Sequence, residues 1–243
     1  MTTVTTETAA WMETQGLPCP GALGWPEYHF GGKPISDESC KHIADIVGNR
    51  SIEGFGGLFL NDGNVSDAGF QLVAEALAKR ENPNLKYICL YNNQIGDGGA
   101  AALAKALPML PNLQNLLISQ NKVTDVGMAA LIKAFGECKL ANFKEFAAAD
   151  NEGVSDASLT ALAEACAAGA LPELKVSLRL DGTKVGEAGV QSLAKALDAG
   201  ALPKLKAIHL GKASVSDALK ETLASAVAKS GASVDLLAPI SVA

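Results

Sequence analysis

Apolar residues recur along the chain in two alternating patterns. In short stretches such as 88–90 and 208–210, every second residue is apolar, a period of two that indicates a β-strand with one buried face. Each stretch is followed by a segment whose apolar residues lie four positions apart, for example Leu103 and Leu107, which places them on one face of an α-helix. The regular alternation of strands and helices predicts an α/β fold with a parallel sheet.

The two patterns form one unit that occurs seven times. An acidic residue marks the same place in each copy, and successive markers lie 28 to 31 residues apart. The residue before each marker is Ser, Thr or Gly, which are types that cap helix N-termini, and an acid in the first turn complements the helix dipole. Each marker therefore predicts the start of a helix. The markers are Asp37, Asp67, Asp97, Asp125, Asp156, Glu187 and Asp217.

Asparagine occupies a fixed place after three of the strands, at Asn93, Asn121 and Asn151. A side-chain amide there can satisfy backbone groups of the adjacent turn. The segments "LKYICLYNNQIGDGG" and "LQNLLISQNKVTDVG" fit the pattern LxxLxLxxNx(I/V)xDxG. At these residues the chain resembles the leucine-rich repeat family, specifically the ribonuclease-inhibitor type that Ran GTPase-activating proteins also show.

The resemblance implies a horseshoe-shaped α/β solenoid of about seven repeats plus caps. Its parallel β-sheet would form the concave face and its α-helices the convex face. We expect an N-terminal arm or cap at 1–24, interpreted as coil, and a leucine-rich repeat domain at 25–243 whose C-terminal cap covers about 230–243. The copies at 144–156 and 175–187 are the least regular, so a local change of curvature is expected there.

The charge pattern argues against nucleic acid as a partner. The chain has a formal net charge of −6, but seven of its 26 acidic residues are the helix markers, and the remaining 19 nearly balance the 20 basic residues. The five cysteines are odd in number and lack a CxxC spacing, and no apolar run is long enough for a signal peptide or a membrane span. We therefore expect a cytoplasmic, monomeric protein that binds neither membrane nor nucleic acid.

Parallel strands place equivalent residues of successive copies in columns on the concave face. Aromatic and apolar side chains fall on three neighbouring strands in the first half of the sheet, while the second half is charged. Aromatic residues surrounded by polar groups are typical anchors of protein contacts, although packing across strands would also explain them. The predicted protein-binding residues are Phe59, Asn61, Tyr87, Cys89, Tyr91, Asn115, Leu117, Arg179, Asp181 and His209.

The same columns contain no convincing catalytic or metal-binding constellation. His29 and His209 are six strands apart, roughly 29 Å at the usual strand spacing, so they cannot share a metal ion. Arg179, Asp181 and His209 come closest to a triad, yet no Ser or Cys nucleophile is in step with them, and an Arg beside an Asp is more often an ion pair. We therefore predict no catalytic residue, no cofactor and no metal site.

Three kinds of function remain open at this stage. The first is a non-catalytic module or scaffold that binds a partner protein on its concave face. The second is a GTPase-activating activity of the Ran type, which the resemblance implies, although no activating residue can be placed in this sequence. An architectural role as a subunit of a larger, for example cytoskeletal, assembly is the third. The resemblance is strong for fold and weak for function.

Overall fold

Strands and helices alternate throughout the protein. The computed structural model describes residues 4–15, 27–29, 35–48, 56–138, 140–211, 213, 215–230 and 233–235, with the backbone alone at 27–29, 230 and 233–235. A 3-10 turn, Leu107–Met109, follows the fourth helix. The helices are α1 Thr6–Thr14, α2 Asp37–Gly48, α3 Asp67–Ala78, α4 Asp97–Ala106, α5 Asp125–Cys138, α6 Asp156–Ala167, α7 Glu187–Asp198 and α8 Asp217–Ser230. The strands are β1 Glu27–His29, β2 Gly57–Phe59, β3 Tyr87–Cys89, β4 Asn115–Leu117, β5 Glu145–Ala147, β6 Ser177–Arg179, β7 Ala207–His209 and β8 Ser233–Asp235.

The strands form one parallel sheet in chain order, from β1 to β8, and each helix from α2 to α7 packs against the next. The molecule is thus an α/β solenoid with the sheet on its concave face and the helices on its convex face, as the sequence predicts. Register is unbroken: Phe59 pairs with Cys89, Cys89 with Leu117, and Arg179 with His209. The columns derived from the sequence are therefore those of the structure.

Helices α2 to α8 all begin at the acidic markers, which confirms the predicted helix starts. The carboxylates, however, act mainly on the next repeat. Asp97 accepts hydrogen bonds from the backbone N–H of Thr124 (2.8 Å), the Thr124 hydroxyl (2.7 Å) and the N–H of Gly127 (2.9 Å). Asp67 similarly accepts from the N–H of Gly96 (2.6 Å). The first six of the seven markers, from Asp37 to Glu187, thus accept hydrogen bonds from the start of the helix that follows their own, and we define this series of contacts as the acidic ladder.

The acidic ladder explains why glycine often stands two residues after the marker. A Cβ atom at Gly69 would lie 2.2 Å from the Asp37 carboxylate, and one at Gly189 would lie 2.7 Å from that of Asp156. In α6 the equivalent residue is Ser158, whose hydroxyl itself donates to Asp125. The position therefore accepts a residue that leaves room for the carboxylate or supplies a hydrogen bond to it.

The three asparagines form a second set of contacts between repeats, the asparagine ladder. Asn121 is buried; its Nδ2 donates to the carbonyls of Leu90 (2.8 Å), Ile118 (3.1 Å) and Ser119 (3.1 Å). Its Oδ1 accepts from the N–H of Ile95 (3.0 Å). Asn93 and Asn151 make the equivalent bonds in their copies, with Nδ2 donating to carbonyls of two repeats and Oδ1 accepting from a backbone N–H. The amide predicted to satisfy one turn therefore joins two repeats.

The core lies between the sheet and the helices. The helical positions predicted to face it, six and ten residues after each marker, are all buried. Leu107 at one of them belongs to the 3-10 turn rather than to α4. Phe135 packs against Phe143 and Phe146, with ring centroids 5.3 and 5.4 Å away. One continuous core of this kind fits the expected repeat domain.

The N-terminal segment differs from the predicted coil, because residues 6–14 form helix α1. Thr5 caps it by accepting from the Thr8 N–H (3.2 Å), and its own N–H and hydroxyl each donate to Asp45 of α2 at 2.9 Å. Trp11 stacks on His42 with centroids 5.0 Å apart, and Met12 is buried. These contacts with α2 stabilise a helix whose own sequence has little periodicity. Residues 16–24 lie outside the described part.

The two irregular copies keep the register of the sheet. Before β6 the additional residue is Val176, which is exposed, while the N–H groups of Lys175 and Val176 both donate to the Lys144 carbonyl, at 3.1 and 2.8 Å. The expected change of curvature stays a prediction. The predicted C-terminal cap, about 230–243, includes strand β8 and stays a prediction, since residues 231, 232 and 236–243 are outside the described residues.

Acid should destabilise the fold through the acidic ladder. Burial raises the pKa of Asp125, but hydrogen bonds from Ser155 and Ser158 outweigh it and hold the pKa below the ordinary value. Hydrogen bonds from Ser216 likewise lower the pKa of Glu187. A lowered folded-state pKa contributes stability that is complete above the unfolded value, near 4, and is lost as the pH falls through the folded value. We expect urea unfolding between about pH 2 and 7 to show that the free energy of unfolding falls as the pH falls. It should fall less steeply with pH in Asp125→Asn. An unchanged slope would contradict the assignment.

Candidate functional site

The candidate site is the concave face of the sheet. The ten residues predicted from sequence lie on strands β2, β3, β4, β6 and β7 or two residues after one of them. The first half contains a group that we define as the aromatic patch, formed by Phe59, Tyr87, Tyr91 and Leu117 on β2, β3 and β4 or directly after them. All four side chains are half-buried. The patch spans three neighbouring strands, so it is roughly 10 Å wide along the solenoid.

Contacts within the sheet hold the rings of the patch in place. Phe59 and Tyr87 stack with centroids 6.4 Å apart and planes at 23°. The Phe59 ring also lies over Gly57, where a Cβ atom would come within 2.4 Å of Cε2. Glycine at this strand position therefore makes room for the aromatic ring, and the two rings present a fixed apolar surface.

Tyr91 is oriented by a polar network at the rim of the patch. Asn61 Nδ2 donates to the Tyr91 hydroxyl (2.9 Å) and to Asp62 (2.8 Å), and Asn92 donates to Asp62 from the next repeat (2.9 Å). The amide hydrogen bonds hold the pKa of Asp62 below its ordinary value, whereas burial and the Asp62 charge raise the pKa of Tyr91. The network keeps the tyrosine neutral and its ring fixed.

Two of the predicted residues are buried rather than available to a partner. Cys89 is 5% exposed, because larger side chains, Phe59 and Leu117, flank this small thiol in its column. Burial raises the pKa of Cys89 to about 11, so the thiol stays protonated at neutral pH. Asp181 is 6% exposed, since it accepts from the Gly211 N–H (3.1 Å) and pairs with Arg179. We correct their assignment: both support the face from beneath.

The second half of the face is polar and largely paired internally. Glu145 accepts from Asn115 Nδ2 (2.6 Å) and from the Ser177 hydroxyl (2.8 Å), which links three adjacent strands. Arg179 Nε lies 3.6 Å from Asp181 Oδ2, so the pair is an ion pair, as expected from sequence. His209 is half-buried beside Arg179 in the register.

The sequence did not indicate these links between strands. Asn61 to Tyr91 and Asn115 to Glu145 each join residues of one column in successive repeats. These hydrogen bonds could have been predicted from an amide residue that stands 30 residues before a hydroxyl or carboxyl residue of the same column. In the part of the chain that the structure describes, no group of three or more His, Cys, Asp or Glu residues is placed to hold a metal ion. Among those same residues, no helix has the length and apolarity needed to cross a bilayer.

Comparison with known proteins supports the repeat assignment. Residues 81–104 match a family model described as a leucine-rich repeat. No curated protein matches the chain. Among solved structures the chain is similar to actin-binding site 2 of leiomodin-1, at 15% identity over 77% of this chain and 87% of that one, with a TM-score of 0.46.

Two bacterial structures are similar at the same level. An internalin from Listeria monocytogenes is 20% identical over 82% of this chain and 51% of its own, with a TM-score of 0.47. A protein from Bacteroides fragilis is 16% identical over 95% and 71%, with a TM-score of 0.49. Identities this low carry no information about a partner. What the family match and the repeated strand–helix unit show together is that this α/β solenoid carries a leucine-rich repeat, at residues 81–104.

Proposed function

We propose that the protein is a non-catalytic interaction module that holds a partner protein, or a segment of one, on its concave face. The observation that carries the proposal is the aromatic patch. Its rings are half-exposed and already fixed by Gly57, Asn61 and each other, so a partner would meet anchors that lose little side-chain entropy on binding.

The polar surroundings of the patch support the same function. Asn61 and Asp62 border it on one side, and Asn115 and Glu145 border it on the next strands. An apolar centre with a polar rim is the usual composition of a protein interface. We further propose a monomer of the ribonuclease-inhibitor repeat type in the cytoplasm, since each copy contains a full helix and the four described cysteines are free thiols.

The proposal predicts that removing the patch removes the partner. We expect Phe59→Ser/Tyr91→Ser to capture at least about tenfold less of a partner from a lysate of the source organism, because buried aromatic anchors dominate binding free energy. The matched control is Leu72→Ser/Val126→Ser, which removes exposed apolar side chains (39% and 71% exposed) from the convex helices α3 and α5. Mass spectrometry of the eluates, after circular dichroism has shown both variants to be folded, gives the comparison.

Equal capture by both variants and wild type would reject the concave site. The GTPase-activating and architectural alternatives have no described residue that favours them. Stimulated GTP hydrolysis in a panel of purified small GTPases would support the first alternative in place of a passive binding module.

A further inference from the structure

A row of lysines lies along the edge of the sheet at which the strands begin. Lys86 precedes β3, Lys144 precedes β5, and Lys175 lies two residues before β6, with Gln114 before β4 between them. We define Lys86, Gln114, Lys144 and Lys175 as the lysine edge. Lys206, before β7, occupies the corresponding place in the next repeat. The edge adjoins the strand that carries Tyr87 of the aromatic patch, since Lys86 directly precedes β3.

Backbone hydrogen bonds show that the members of the lysine edge are immediate neighbours. The N–H of Gln114 donates to the Lys86 carbonyl (2.8 Å), that of Lys144 to the Gln114 carbonyl (2.7 Å), and that of Lys175 to the Lys144 carbonyl (3.1 Å). With parallel strands about 4.8 Å apart, the edge extends over roughly 15 Å. Three like charges are therefore held in one line by the sheet.

None of these three charges is balanced by a carboxylate of the described residues. Lys86 and Lys175 are exposed and form no ion pair there. Lys144 Nζ donates to the neutral Oε1 of Gln114. Glu145, the nearest acid in sequence, accepts from Asn115 and Ser177 instead. The lysine edge is thus a positive strip on a protein whose net charge is −6.

Two acids of the concave face, Asp62 and Asp150, lie at its opposite edge, unlike Glu145, which accepts from Asn115 and Ser177. Asp62 follows β2 and Asp150 follows β5, six residues beyond Lys144. Six residues of extended chain cover roughly 20 Å, which is about two Debye lengths at 0.1 M salt. An acidic group at the lysine edge would therefore feel little repulsion from Asp62 or Asp150, and the three lysines outnumber Glu145, the acid that begins β5.

We propose that the partner segment on the concave face is acidic, with carboxylates at the lysine edge and apolar or aromatic side chains on the aromatic patch. The inference rests on the proposed concave binding function and adds the chemistry of the partner to it. Such a segment runs across the strands, along the axis of the solenoid, because both the lysine edge and the patch extend in that direction. Charges at the rim raise the association rate and make binding sensitive to salt.

A synthetic peptide tests this chemistry directly. The probe is a fluorescein-labelled peptide of about 12 residues, long enough when extended to span the edge, with two tryptophans between blocks of glutamate. Its counterpart has glutamine in place of every glutamate. Fluorescence anisotropy is measured with wild type, with Lys86→Glu/Lys144→Glu/Lys175→Glu, and with the control Lys79→Glu/Lys105→Glu/Lys195→Glu, which makes the same charge change at exposed lysines of the convex side.

We expect the glutamate peptide to bind wild type and to lose about tenfold in affinity, both in the lysine-edge variant and when salt rises from about 50 to about 300 mM. The control variant should stay within about twofold of wild type, since its charges lie on the other face. Circular dichroism and urea unfolding show whether both variants fold, and Lys→Gln at the same three positions replaces the reversal if they do not.

Several outcomes would overturn the acidic partner. These are no binding of the glutamate peptide to wild type, equal binding of its glutamine counterpart, an equal loss in the control variant, and tighter binding of a single-stranded oligonucleotide of the same charge. The capture experiment separates this failure from failure of the concave site. A natural partner lost with Phe59→Ser/Tyr91→Ser but retained by the lysine-edge variant would preserve the site and remove its acidic occupant.

Discussion

Replacing Asn151 with alanine is expected to lower the free energy of unfolding by about 4 kcal/mol, the largest effect we expect from one side chain of this protein. Asn151 is fully buried; its Oδ1 accepts from the Val123 N–H (2.9 Å), and its Nδ2 donates to the Ile118 and Ala148 carbonyls at 3.0 Å. Alanine would leave the Val123 N–H and the Ala148 carbonyl buried without partners, each at a cost of about 1–3 kcal/mol unless water enters. The Ile118 carbonyl would lose one of its two donors and keep Asn121.

Urea denaturation followed by circular dichroism measures the effect, and Asn84→Ala is the matched control. Asn84 is exposed, so its replacement should change stability by less than about 0.5 kcal/mol. If Asn151→Ala were as stable as Asn84→Ala, the asparagine ladder would be an incidental feature of the turns. A smaller m-value, the slope of the free energy of unfolding against urea concentration, would indicate that the solenoid of Asn151→Ala no longer unfolds as one unit.

The second large effect concerns Gly127, the glycine that contacts Asp97 of the acidic ladder. Gly127→Val is expected to lower the free energy of unfolding by about 3 kcal/mol, because a Cβ atom there would lie 2.6 Å from Asp97 Oδ1 and 3.0 Å from both the Ala100 Cβ and Val123 Cγ1 atoms. The Gly127 N–H would also lose its bond to Asp97 as the carboxylate moves. Gly127→Ala should cost about 2 kcal/mol for the same reason.

Helix α5 contains its own control. At Gly136 a Cβ atom would meet nothing within 4 Å, so Gly136→Ala should raise stability by about 0.5 kcal/mol through helix propensity. Gly127→Ser should be milder than Gly127→Ala, because the hydroxyl can donate to Asp97 as Ser158 does to Asp125. Thermal or urea unfolding gives the order, and equal effects at the two glycines would show that the carboxylate is not confined.

The periodic features were predictable because they are local or exactly repeated. Helices begin at the acidic markers, since Ser, Thr or Gly followed by an acid favours a helix start whatever lies around it. The columns of the concave face follow from the strand period alone, so the strand residues pair in the register that the sequence predicts. Their use by a partner is still a prediction.

Two features could not be predicted because they depend on residues that are distant in sequence. They are the burial of side chains within the concave face and the formation of the N-terminal helix. The sequence shows that Cys89 shares a column with larger residues, but not that they shield it, and Asp181 is buried through contacts with Arg179 and Gly211. Helix α1 forms on α2 through Trp11 and Thr5, and its own pattern is too weak to predict it. The hydrogen bonds of the markers to the next repeat could not be derived from one copy. Their signal in the sequence is the glycine that often stands two residues after the marker, which no contact within one repeat explains.

The asparagine ladder covers only part of the solenoid, so the copies that it links should unfold more cooperatively than the others. Asn93, Asn121 and Asn151 link the copies from β2 to β5, whereas Thr183 donates only to the Leu180 carbonyl of its own copy. The copies of β6 and β7 lack this buried amide link and are joined to their neighbours by the sheet, the core, the acidic ladder and separate contacts such as Ser177 to Glu145. Brief opening should thus start toward the C-terminal end, while the copies bearing the aromatic patch open together and last.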